Sequence, residues 1–120
     1  MFKEIQIGDK TLKLLANGAT PYRYKQVFHK DVIKIFFTEE KTDIAEMSPE
    51  IAYIMNAQAL NAEDAKKSLA NLSFDAFLKW LEDFEALDFA NHADEIYSIY
   101  ASGAETSEEP KKKLEEPKEK

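Results

Sequence analysis

Residues Ser73 to Glu85 read SFDAFLKWLEDFE, and this run decides the fold class. Ser73 is a natural N-cap, and Asp75 places a carboxylate in the first turn, where the helix dipole favours it. Phe74, Phe77, Leu78, Leu81 and Phe84 recur at helical spacing, while Lys79, Glu82, Asp83 and Glu85 turn the other way. The pattern predicts an amphipathic helix over 74–84 that needs a core to cover its apolar face. Trp80, the one tryptophan, falls on the shoulder of that face. It is either the rim of the core or the centre of a contact surface.

Downstream, Ala86 to Asp88 is a short connection and Asp88 can cap a last helix over 89–102, in which Phe89, Ala93, Ile96 and Tyr100 share a face. Gly103 suits its C′ position. Residues 104–120, AETSEEPKKKLEEPKEK, hold one leucine among eleven charges and two prolines, the composition of a disordered charged tail.

Upstream, Ser48-Pro49 is a cap followed by a first-turn proline, and Ile51, Ile54, Met55 and Gln58 continue the stripe. That helix reaches about Leu60. Ala62, Ala65, Leu69 and Leu72 prolong the register, so that 49–71 reads equally as one bent helix or two shorter ones. Val32 to Glu39 is too continuously apolar for periodicity to choose; a strand is locally allowed, and the helical flanks favour a short buried helix over 32–39. Thr20-Pro21 opens a helix over 21–28 with Tyr22, Tyr24 and Phe28 among Arg23, Lys25 and Lys30. Two readings fit that mixture, a cation-and-aromatic contact site or core aromatics with basic groups reaching solvent. The alternating runs Lys3–Ile7 and Thr11–Leu15 around Gly8 predict a hairpin over 3–15. Such a hairpin must lie on helices, and its outer edge is open to another strand. The expected fold is mainly α with a small N-terminal β-hairpin, in the α+β class: one domain over 1–103 and a tail.

The net charge of −7 speaks against nucleic-acid binding, which needs a basic patch. Residues 1–42 hold eight basic and five acidic side chains, and residues 43–103 three basic and twelve acidic, or +3 and −9. The acidic body is either a solvated surface or a face for a basic partner. No apolar run approaches the roughly 20 residues of a membrane span, the first fifteen residues lack the pattern of a signal peptide, and there is no cysteine. A cytosolic protein that needs no membrane is expected. His29 and His92 stand alone, no metal-binding or phosphate-loop motif occurs, and Ser98 and Ser102 have no base in view. The expectation is a non-enzyme without catalytic, metal or cofactor residues, in which Tyr22, Tyr24, Trp80 and Phe84 are the candidate partner-binding side chains.

Two runs resemble a known family. ATPYRYKQVFHKD at Ala19–Asp31, placed after the hairpin IQIGDKTLKLLANG, and SFDAFLKWLEDFE at Ser73–Glu85, followed by a short helix and a lysine-containing tail, are similar to the tail assembly chaperones of long-tailed bacteriophages of Gram-positive hosts. The resemblance covers most of residues 1–113 and departs at His29, where a glycine is more usual. It implies an assembly factor that binds the tape measure protein, keeps it soluble and promotes polymerisation of tail tube protein around it. It also implies action in the host cytoplasm, absence from the mature virion, and a longer frameshifted form, with slippage at Lys111–Lys113, that engages the tube protein. Self-association is open. The residues alone also suit a small helical connector or completion subunit of a virion, or an acidic inhibitor that mimics DNA.

Overall fold

The computed structural model describes residues 2–31 and 41–105, with backbone only over 41–46 and 103–105. Strands β1 (Phe2–Ile7) and β2 (Lys10–Leu15) form an antiparallel hairpin. Four helices follow among the described residues, α1 (Thr20–Phe28), α2 (Lys41–Glu63), α3 (Phe74–Leu81) and α4 (Ala93–Glu105), the last preceded by a 3-10 turn at Ala90–His92. The α+β expectation holds. The helix expected over 32–39 and residues 106–120 of the tail lie outside the described residues.

The hairpin closes through Gly8 and Asp9. Gly8 has φ +61°, as a type II′ turn requires of its first central residue, and a Cβ there would lie 3.2 Å from the Asp88 carboxylate. Ile5 pairs with Leu12 and Ile7 with Lys10, and Ile5, Ile7, Leu12 and Leu14 are all buried against the helices. With a two-residue turn, the backbone groups of Lys13 and Leu15 point away from β1. They are met from α2: Asn56 Nδ2 donates to the Lys13 carbonyl at 2.9 Å and Gln58 Nε2 to the Leu15 carbonyl at 2.7 Å. The β2 edge is thereby covered, and the outer edge of β1 has no strand or side chain on it among the described residues.

Helix α2 is the axis of the core. Every residue from Ile51 to Asn56 is buried, because β2 and the other three helices all pack on it. A helix enclosed in this way needs apolar or internally bonded residues all round rather than one stripe. It begins at Lys41 and ends at Glu63, so it corrects two expectations. Pro49 is interior rather than at the first turn, and the carbonyl four residues earlier loses its usual amide partner. Ser48 does not cap; it is buried, and its hydroxyl donates to the Phe89 carbonyl at 3.3 Å. Residues 64–72 are turns rather than a helical continuation, stopped where Asp64 Oδ1 accepts the Lys66 amide.

Helix α1 starts one residue early. Thr20 belongs to its first turn, with its hydroxyl accepting from the Asn17 amide and from Gln58 Nε2. It ends at His29, which sits at φ 60°, ψ 32° with its amide bonded to the Lys25 carbonyl. That is the left-handed C-cap usually filled by glycine. Tyr24 is fully buried; its hydroxyl donates to Glu50 Oε1 at 2.6 Å, and Lys30 pairs with the same carboxylate at 3.2 Å. Burial first, and the Glu50 carboxylate second, push the Tyr24 phenol far above its ordinary range.

Candidate functional site

Helix α3 starts as its sequence dictates. Ser73 is extended, and its hydroxyl accepts the Ala76 amide at 3.1 Å. Eight residues cannot hold a helix alone, so α3 depends on what it docks. Phe77 supplies that contact: it is buried edge-on against Phe28 (5.0 Å between centroids) and near Tyr53 (5.5 Å). Burying such a ring is worth about 2–3 kcal/mol. Tyr53 also receives a hydrogen bond from the Ser73 backbone, which offsets part of the upward push that burial gives its phenol.

The buried side of α3 is rotated from the face expected of it. Phe77, Leu81 and Phe84 do face the body, but the accompanying shoulder is that of Ala76 and Trp80 rather than Phe74 and Leu78. The cause is Trp80. Its indole Nε1 donates to Asn56 Oδ1 at 3.2 Å, and its ring packs on Tyr53, Phe84 and Phe89 at 5.3, 5.0 and 5.5 Å. A tryptophan with a partner for its N–H and four rings around it, Phe77 at 6.2 Å being the fourth, outweighs a leucine in setting which flank turns inward. Trp80 is half-buried as rim packing. Phe74 and Leu78 are left 50% and 44% exposed.

Helix α3 ends at Leu81 rather than Phe84, and residues 82–84 form a tight turn. Asp88 does not cap α4. Its carboxylate reaches back to accept the Glu85 amide at 2.9 Å, and so shapes the turn. Beyond it a groove of about 400 Å³ opens between α2 and residues 81–90, lined by Pro49, Leu81, Phe84, Glu85, Ala86, Phe89 and Ala90. Phe84 and Phe89 form its floor with centroids 4.8 Å apart. A smaller depression adjoins it through Glu85 and is walled by Asp83, Asp88, Asp9 and Lys10 with the hairpin turn.

Of the four candidate contact residues, Trp80 and Phe84 are brought together. Tyr22 is 75% exposed on α1, in a shallow depression with Ala19, Arg23, Lys25 and Gln26, and makes no ring contact with either. Tyr24 is core. Sequence patterning missed Phe74 and Leu78, which with Leu81 make an i, i+4, i+7 stripe leading to the groove, and it missed Leu87, 70% exposed. The signal was present in the thirteen-residue run, but which flank of it would be left bare depends on Asn56, far off in sequence.

Among the described residues no three His, Asp or Glu side chains are arranged to hold a metal, and no helix is long and apolar enough to cross a membrane. His92 Nδ1 lies 3.1 Å from Glu95 Oε1 in an ordinary helix-surface pair. The arrangement offers apolar contact area. Comparison with models of known families, with curated proteins and with solved structures gives no match to this chain.

Proposed function

We propose that this protein is a non-enzymatic chaperone of phage tail assembly, which binds the long helical tape measure protein and keeps it soluble in the host cytoplasm. The family assignment rests on the two sequence runs at Ala19–Asp31 and Ser73–Glu85. The observation that carries the binding role is the half-exposed pair Phe74 and Leu78, continued by the partly buried Leu81 into the groove at Phe84 and Phe89. An amphipathic helix binds a groove through anchors at this spacing, and aromatic walls supply contact area at low entropic cost. The net charge of −7 keeps loaded complexes apart. Tail tube protein is the second partner, engaged chiefly through the longer frameshifted form.

The test is co-expression with a phage tape measure protein. The expected result is that tape measure protein, insoluble alone, becomes soluble and co-elutes with this chain, while finished tails contain none of it. Tape measure protein left insoluble, or this chain found as a stoichiometric part of finished tails, would overturn the reading, the latter in favour of a connector subunit.

A further inference from the structure

We propose that the groove beside α3 selects a helical segment carrying a bulky apolar side chain with lysine or arginine one turn away. This rests on the reading of the protein as a binder of apolar helices, and adds the place and the chemistry of the contact. The groove takes the apolar side chain: Leu81, Phe84, Phe89 and Pro49 line it, and Ala86 and Ala90 leave its mouth wide. The cation is specified next door. Glu85 belongs to both the groove and the adjoining depression, where Asp83, Asp88 and Asp9 converge and Lys10 is the one opposing charge.

The stretch of chain that builds this rim has the same sign. Between Leu81 and Tyr100 stand six carboxylates and no Lys or Arg. A metal is not the natural occupant, since no group of carboxylates among the described residues is arranged as a metal cage. An ammonium or guanidinium held at a solvated acidic rim fits instead, giving register and on-rate, while the apolar anchor gives the affinity. A helix carrying glutamate at those positions meets like charge and is rejected.

The protein carries its own reporter. Trp80 packs on both Phe84 and Phe89, the floor of the groove, and is the one tryptophan in the chain. The probes are two tryptophan-free amphipathic helical peptides of about 18 residues, each with leucines on one face, flanked by lysine in one and by glutamate in the other. The full chain is expected to bind the lysine peptide with a change in Trp80 emission that weakens with salt, and the glutamate peptide about tenfold less tightly or worse. Ala86→Tyr, which blocks the mouth without entering the core, should abolish binding of the lysine peptide. Glu85→Lys should weaken it about tenfold and improve the glutamate peptide, an exchange that misfolding cannot produce. Equal binding of the two peptides, or binding indifferent to both variants, would overturn the proposal; if Ala86→Tyr does not fold, Glu85→Lys alone decides. The two readings separate cleanly. A tape measure fragment held equally by wild type and both variants leaves the chaperone and removes the groove, whereas peptide selection without capture of the fragment leaves the groove and removes the chaperone.

Discussion

Asn56 joins three elements through one side chain: its Nδ2 serves the Lys13 carbonyl on β2, its Oδ1 takes the Trp80 indole of α3, and its backbone belongs to α2. Asn56→Leu keeps much of the volume but leaves two polar groups without partners. The expected cost is about 1–3 kcal/mol in denaturant unfolding, with Trp80 emission shifted in the folded state. A change below about 0.5 kcal/mol would show that water replaces both bonds. Gln58 is a second such residue, bonded to Leu15, Thr20 and Arg23. Neither role was legible in the sequence, because an amide on a helix reads as surface unless one knows that a strand edge lies opposite. Glycine at 8 and serine at 73 were legible, since a tight turn and an N-cap are local events.

At the scale of elements, the hairpin with its inward face and the existence of α1, α3 and α4 followed from periodicity. Ends and rotations did not. Of the expected caps only Ser73 holds: Thr20 lies inside α1, Asp88 does not cap α4, and α4 runs through Gly103, expected at its C′ position, to Glu105. The Ser48-Pro49 pair carries the local signature of a start, and the chain enters α2 eight residues earlier because burial of Met47 and Ser48 outweighs the lost hydrogen bond. The same override turns α3 by one flank, with a measurable contrast between two phenylalanines three residues apart. Phe77→Ala should cost about 3–5 kcal/mol, whereas Phe74→Ala, at a ring half-exposed and touching Phe28 and Phe77 on one side only, should cost about 1–2 kcal/mol and weaken capture of an apolar helix. Similar costs for both, measured by thermal and denaturant unfolding, would mean that Phe74 too is core. The stripe that makes the candidate site was therefore half-legible: its residues could be named, and its exposure could not.

At the scale of the whole molecule, three phenols among the described residues titrate above their ordinary range. Tyr24, Tyr53 and Tyr100 are all pushed upward, each chiefly by burial. Below about pH 10 the three are protonated in folded and unfolded chains alike, and their contribution is complete. As pH rises past about 10 the unfolded chain ionises while the folded one holds its protons, so stability falls with pH. Tm should drop steeply there, with the phenolate absorbance of these residues appearing together with unfolding rather than before it. Phenolate signal from all the tyrosines in a chain that still shows its full helical signal would contradict this.

The lattice of bonds between the first 31 residues and α2 also means that the covalent link between them is dispensable in principle. Tyr24 and Lys30 grip Glu50, Lys13 pairs with Glu63 at 2.9 Å, two strand carbonyls sit on Asn56 and Gln58, and the hairpin buries its apolar face on the same helix. None of these contacts needs the peptide chain to run unbroken from Asp31 to Lys41. Expressed as two pieces, 1–40 and 41–120, the protein should behave as a split pair whose halves find each other and restore the helical spectrum of the intact chain. The price is the entropy of bringing two molecules together, about 4–15 kcal/mol at standard concentration, so recovery should rise with concentration. Pieces that never reassemble at any concentration would show that these bonds hold only when the chain itself keeps the partners close.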